Sequence, residues 1–124
     1  MIRLIIATFL LCGFQSKAPL TTIEIISVDM DRETISQVEC SQFDQSFNKN
    51  EKKLKTVKGR RKIEGLLNEL ENLKKFEDDS ETDTRAQIII KYQDHVDKFC
   101  ADQFSVCHNG ICYRITNKLK RIIW

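Results

Sequence analysis

The chain has 124 residues, 41% apolar and 31% charged, with 4 Gly, 1 Pro and 5 Cys. That composition holds enough apolar material for a core and no repetitive bias, which excludes disorder, collagen-like chains and low-complexity scaffolds. The length fits one domain, and a formal net charge of +2 is too small to make nucleic acid the default partner.

Residues 1–18 read as an address. A single cation, Arg3, precedes the apolar run Leu4 to Cys12, which has the length of a signal-peptide core and is far too short to span a bilayer. A buried N-terminal strand is the alternative, but no polar residue alternates through the run, and turn and polar residues follow it. Three processing outcomes fit. Cleavage after Ala18 has small residues at the right spacing but is opposed by Pro19; cleavage after Gly13 is the second. The third is lipidation of Cys12, where Leu11 occupies a position that lipoprotein signals fill with a small residue. Residues 19–124 then form the single exported domain, periplasmic, anchored to the outer membrane or secreted. Its cysteines, Cys40, Cys100, Cys107 and Cys112, make two disulfides in any of three pairings.

Taken in chain order, Thr21 to Met30 is β-branched and predicts a strand, with a turn at Asp29 to Arg32. Glu33 to Phe43 alternates loosely around Val38, Cys40 and Phe43 and predicts a second, half-exposed strand. Asn48 to Lys62 carries eight cations against Glu51 alone, net +7. Its plain reading is a solvated loop and first helical turn. Ile63, Leu66, Leu67, Leu70, Leu73 and Phe76 then fall on one helical stripe. Residues 77–83 are acidic and aperiodic, a loop. Ala86 to Gln93 predicts a buried strand, with short strands near Val96 to Cys100 and Gln103 to Cys107. Asn109-Gly110 marks a hairpin into Ile111 to Ile115, because both turn residues must take positive φ. Thr116 offers an N-cap for a last helix bearing Leu119, Ile122 and Ile123. The order expected is β-β-α-β-β-β-α, an α+β domain with an antiparallel sheet on one main amphipathic helix.

A two-residue turn at Asn109-Gly110 sets Cys107 opposite Cys112 in a non-hydrogen-bonded pair, close enough for a bridge. The same register places Phe104, Val106, Ile111, Tyr113 and Ile115 on one face, and Ser105, Cys107, Cys112 and Arg114 on the other. Cys40 and Cys100 remain to join the second strand to the central sheet.

No reaction-specific motif is present. Cys100, Cys107, His108 and Cys112 could ligate zinc, but they lack a short Cys-x2-4-Cys knuckle, and an oxidising compartment favours bridges. Haem attachment fails because Phe104 stands where the first cysteine belongs. Only His95 and His108 could serve a Cys–His pair, and the bridges leave no thiol. Asp79, Glu81 and Asp83 alternate like the start of a calcium loop, yet Thr84 and Ile90 stand where an EF-hand needs Gly and Glu. No metal, cofactor, catalytic group or nucleic-acid role is expected. Residues 64–83 carry eight anions against two cations, net −6, so the chain is electrically polarised. The contact surfaces expected are Lys52, Lys53, Lys55, Lys58, Arg60 and Arg61 on one side, and Asp78, Asp79, Glu81 and Asp83 on the other. Such a pattern orients and speeds docking to a charged partner.

The short export signal, the domain size and the Asn-Gly hairpin after an Ile-rich strand resemble small, mostly uncharacterised bacterial exported proteins and lipoproteins. The resemblance rests on residues 1–18 and 84–124, carries no diagnostic motif and transfers no site residue. It implies an envelope or extracellular location and a binding or inhibitory role. The leading expectation is a non-enzymatic binding protein of the envelope whose partner is another protein, with membrane association only through a lipid on Cys12. A structural subunit of an envelope complex is the alternative, and a small hydrolase a weaker one. Peptide mapping of protein from its natural host is expected to find the N-terminus cleaved or acylated and no free thiol. An intact Met1 with four titratable thiols would overturn the export reading.

Overall fold

Isoleucine at alternate positions, Ile23 and Ile25 in one segment, Ile88 and Ile90 in another, creates two extended stretches each with one strongly apolar face. In the structure, a computed structural model that describes residues 19–76 and 81–124, these stretches are β1 (Leu20–Ser27) and β3 (Ala86–Tyr92). They pair antiparallel with Ile23 opposite Ile90 and Ile25 opposite Ile88, and all four side chains are buried. The signal-peptide reading, with Cys12, lies outside the described residues, as do Asp78 and Asp79. No helix among the described residues is long and apolar enough to cross a membrane.

Around that pair the sheet adds β2 (Lys53–Val57), β4 (Val96–Ala101), β5 (Ser105–His108) and β6 (Ile111–Arg114). Among the described residues its six antiparallel strands run in the order β2-β1-β3-β4-β5-β6. The fold is α+β, and the four strands expected between Ala86 and Ile115 all form, one more than the expected order β-β-α-β-β-β-α counted.

The second strand lies elsewhere than the sequence suggested. Residues 33–43 form no strand; Cys40–Gln42 is a 3-10 turn leading into a short helix, α1 (Phe43–Ser46). The reason is a helical spacing that loose alternation concealed: Phe43 and Phe47 stand four apart, their rings 5.5 Å from centroid to centroid. With Val28 and Val38 they make a small second core under this segment. The strand appears instead as β2, inside the basic run. Only Val57 of its five residues is buried, so it carries almost no apolar signature.

The main helix, α2 (Arg60–Glu71), lays Leu66, fully buried, with Ile63, Leu67 and Leu70 on the apolar face of the sheet. It stops short of the predicted stripe because Asn72 closes it, its side chain donating to the Asn68 carbonyl at 2.7 Å. Beyond it, Lys74 and Phe76 run beside β6: Arg114 N–H donates to the Lys74 carbonyl, and Phe76 N–H to the Cys112 carbonyl. The last helix, α3 (Asn117–Ile123), is capped by Thr116, whose hydroxyl accepts the Leu119 N–H at 3.0 Å, and buries Leu119 and Ile123 in the same core.

The hairpin forms as its sequence requires. Asn109 and Gly110 take φ of 51° and 79°, and Cys107 pairs with Cys112 and His108 with Ile111. Cys107 and Cys112 lie at bonding distance with Cα atoms 4.0 Å apart, and Cys40 and Cys100 with Cα atoms 5.6 Å apart. Of the expected apolar hairpin face only Val106 is fully buried; Phe104 and Ile111 project outward.

Chain entropy assigns about 4 kcal/mol to the Cys40–Cys100 bridge and about 2 kcal/mol to the short one. Urea unfolding should therefore rank C40S/C100S as more damaging than C107S/C112S. Leu66→Ala should lose about 2–5 kcal/mol through the cavity it leaves. Equal midpoints for the two double serine variants would contradict the ranking.

Candidate functional site

Alternation along β2 sends Lys53 and Lys55 to the face that carries α2 and α3, and Leu54 and Thr56 to the other. The register agrees, since Lys55 is opposite buried Ile25 and Leu54 opposite half-buried Ile26. The strand ends at Lys58, and Gly59, at φ 94°, turns the chain into α2. Gly59 brings no capping side chain, and the first turn holds Arg60, Arg61 and Lys62 with no acidic residue. A helix start ordinarily collects anions, because its free N–H groups and dipole present positive charge. Here local stability and composition pull in opposite directions.

The last helix completes the arrangement. Its Lys118 and Arg121 stand beside the end of β2 and the first turns of α2. Together with Lys55, Lys58, Arg61 and Lys62 they line a cleft of about 660 Å³. Among the described residues that line it, six are cationic and none is acidic. Two are engaged locally: Lys55 Nζ donates to the Ile122 carbonyl at 3.1 Å on exposed surface, and Lys118 lies 3.7 Å from the partly buried Glu69. Lys58, Arg61, Lys62 and Arg121 have no ion-pair partner among the described residues.

The expected basic surface thus divides. Lys55, Lys58 and Arg61 line the cleft. Lys52 is held in place instead, its Nζ 2.6 Å from both the carboxylate and the backbone carbonyl of Asp44. That contact holds the exposed Asp44 carboxyl below its usual range. Lys53 faces Asp29 at 3.8 Å with both side chains in water, and Arg60 pairs with Glu64 one helical turn on. Lys62, Lys118 and Arg121 were not among the residues the sequence singled out. Lys62 sits at the end of the charged run, and the other two join the site only through the packing of α3 on β2 and α2.

The acidic side is built differently. Glu81 is exposed, whereas Asp83 accepts the Val38 N–H at 2.8 Å and pairs with buried Arg85 through both oxygens. Arg85 further donates to the Arg32 carbonyl and the Thr34 hydroxyl. Asp102 beside it accepts from the N–H groups of Asp83, Phe104 and Ser105 and from the hydroxyls of Thr82 and Ser105. This knot fixes the 29–39 loop onto the end of the sheet, which makes Asp83 a structural group.

Both histidines hold an aspartate and stack on a ring. His108 Nε2 lies 2.9 Å from Asp97 Oδ1 with its ring 4.1 Å from Phe99; His95 lies 2.6 Å from Asp94 and stacks on Tyr92. The Tyr92 hydroxyl is pushed above its ordinary value, first by burial and then by the negative charges of Asp97 and Glu71. An aspartate that orients an imidazole is half of a nucleophile-activating arrangement, but no hydroxyl or thiol is hydrogen-bonded to either ring among the described residues. Nor do three or more His, Cys, Asp or Glu side chains converge there as a metal site would require. Comparison of the chain with protein-family models, with curated proteins and with solved structures finds no match in any of the three.

Proposed function

We propose that this chain is an exported, non-enzymatic binding protein of the cell envelope, an inhibitor or immunity-type partner that receives an acidic surface of another protein in the cationic cleft. The observation that carries the reading is the convergence of six cations from three elements on one concavity with no lining carboxylate among the described residues. Mutual repulsion there is relieved by a bound anion, and a concave field of one sign steers an acidic partner inward. Export is supported by the apolar run behind Arg3 and by two cysteine pairs at bonding distance, an arrangement suited to an oxidising compartment.

The alternative of a structural subunit in an envelope complex draws on the same cleft and on the outer edge of β2, which no strand among the described residues pairs with. Constant stoichiometry in a purified assembly would favour it over a transient inhibitor. The hydrolase reading draws only on the two Asp–His pairs.

Reversing Arg61, Lys62 and Arg121 to glutamate tests the cleft without touching the core. Wild-type protein should capture its partner from the native envelope with association that slows as salt rises. The triple variant should associate about tenfold more slowly or worse at low salt and lose that salt dependence. Its stability should change by no more than about 1 kcal/mol, since the replaced charges are solvated. Equal capture by the two proteins would remove the cleft from the binding function.

A further inference from the structure

β2 ends the sheet. It pairs with β1 on one side, and among the described residues no other backbone reaches its outer side. The opposite edge is covered, since Lys74 and Phe76 bond to β6. Lysines on a bare edge commonly serve only to block pairing with another chain. Protection alone does not account for Arg61, Lys62, Lys118 and Arg121, which come from two helices and converge on the same edge. Nor does it account for Leu54, 66% exposed on the other face of the strand and opposite half-buried Ile26.

We infer that the edge of β2 takes up an extended segment of a partner protein as a seventh strand, in which acidic residues alternate with apolar ones. The inference rests on the cleft reading above and specifies how the acidic partner is held. Side chains of an added strand alternate between the two faces of the sheet, as those of β2 do. One set meets Lys53 and Lys55 and reaches the cleft, where carboxylates answer the cations. The other set lies beside Leu54, where apolar side chains remove exposed hydrocarbon from water. Backbone hydrogen bonds along the edge supply affinity, and the alternation supplies register. A second copy of this chain is a poor occupant, because edge-to-edge pairing of two β2 strands sets lysines against lysines, and like charges across strands destabilise.

The probe is a synthetic peptide of about seven residues that alternates Glu with Val, compared with a block-ordered peptide of the same composition and with an alternately N-methylated version. The full-length protein as isolated from its host should bind the alternating peptide about tenfold more tightly than either control. Hydrogen exchange should slow at amides within 53–57. A Lys58→Glu/Arg61→Glu variant, which leaves four cations in the cleft against two new carboxylates, should bind the alternating glutamate peptide about tenfold more weakly than wild type. Equal binding of alternating and block peptides would overturn strand addition while leaving electrostatic docking in the cleft intact. Absence of binding by all the peptides, unchanged exchange at 53–57, or displacement of the peptide by anionic phosphatidylglycerol vesicles would each overturn the inference.

Discussion

The pairing of β1 with β3 is the constraint from which the rest of the molecule follows. It joins residues far apart in sequence, so everything between them must be laid around the finished pair. The chain leaving β1 crosses one face, where Val28, Val38, Phe43 and Phe47 close a small core and Cys40 meets Cys100. It returns as β2 along the outer edge of β1, then crosses the opposite face as α2. Loss of the isoleucine contacts in the central pair would free all three segments together, because none of them has a core of its own large enough to stand alone.

That layout also makes the electrostatics. A basic run in an extended chain repels itself and is dispersed by water and salt. Here the turn at Gly59 folds the run back between a strand and a helix start, and α3 adds two further cations from the end of the chain. Acidic residues among those described are engaged elsewhere. Asp83 and Asp102 are tied into hydrogen-bond networks around Arg85, and Glu64 and Glu69 compensate neighbouring cations on α2 and α3. Polarity along the sequence becomes a local field at one edge of the sheet. A field confined to a concavity survives screening better than one spread over a convex surface.

Much of the fold was legible because local chemistry and global packing agree. Asn109 and Gly110 adopt the positive φ that their turn demands, Thr116 caps the helix after it, and alternate isoleucines mark the central strands. Where the reading went astray, one local pattern imitated another. Polar spacing around Val38, Cys40 and Phe43 looked like a half-exposed strand, while the informative pair was Phe43 with Phe47. In β2 the alternation of Lys53-Leu54-Lys55-Thr56-Val57 was present, but an edge strand buries only Val57 and reads as solvated chain. Four of the six cleft cations, Lys55, Lys58, Arg61 and Lys62, lie in the charge run that the sequence shows. The other two, Lys118 and Arg121, become neighbours only when the terminal helix docks, which no linear pattern encodes.

The register of β4 against β5 places Cys100 directly across from Cys107, so three of the sulfurs (those of 100, 107 and 112) stand in one row across neighbouring strands. A nascent chain therefore has a tempting wrong partner within reach. Closure of a short hairpin loop outruns the approach of distant segments. Oxidation at the Asn-Gly turn would withdraw Cys107 from that competition early, leaving Cys40 and Cys100 a single choice.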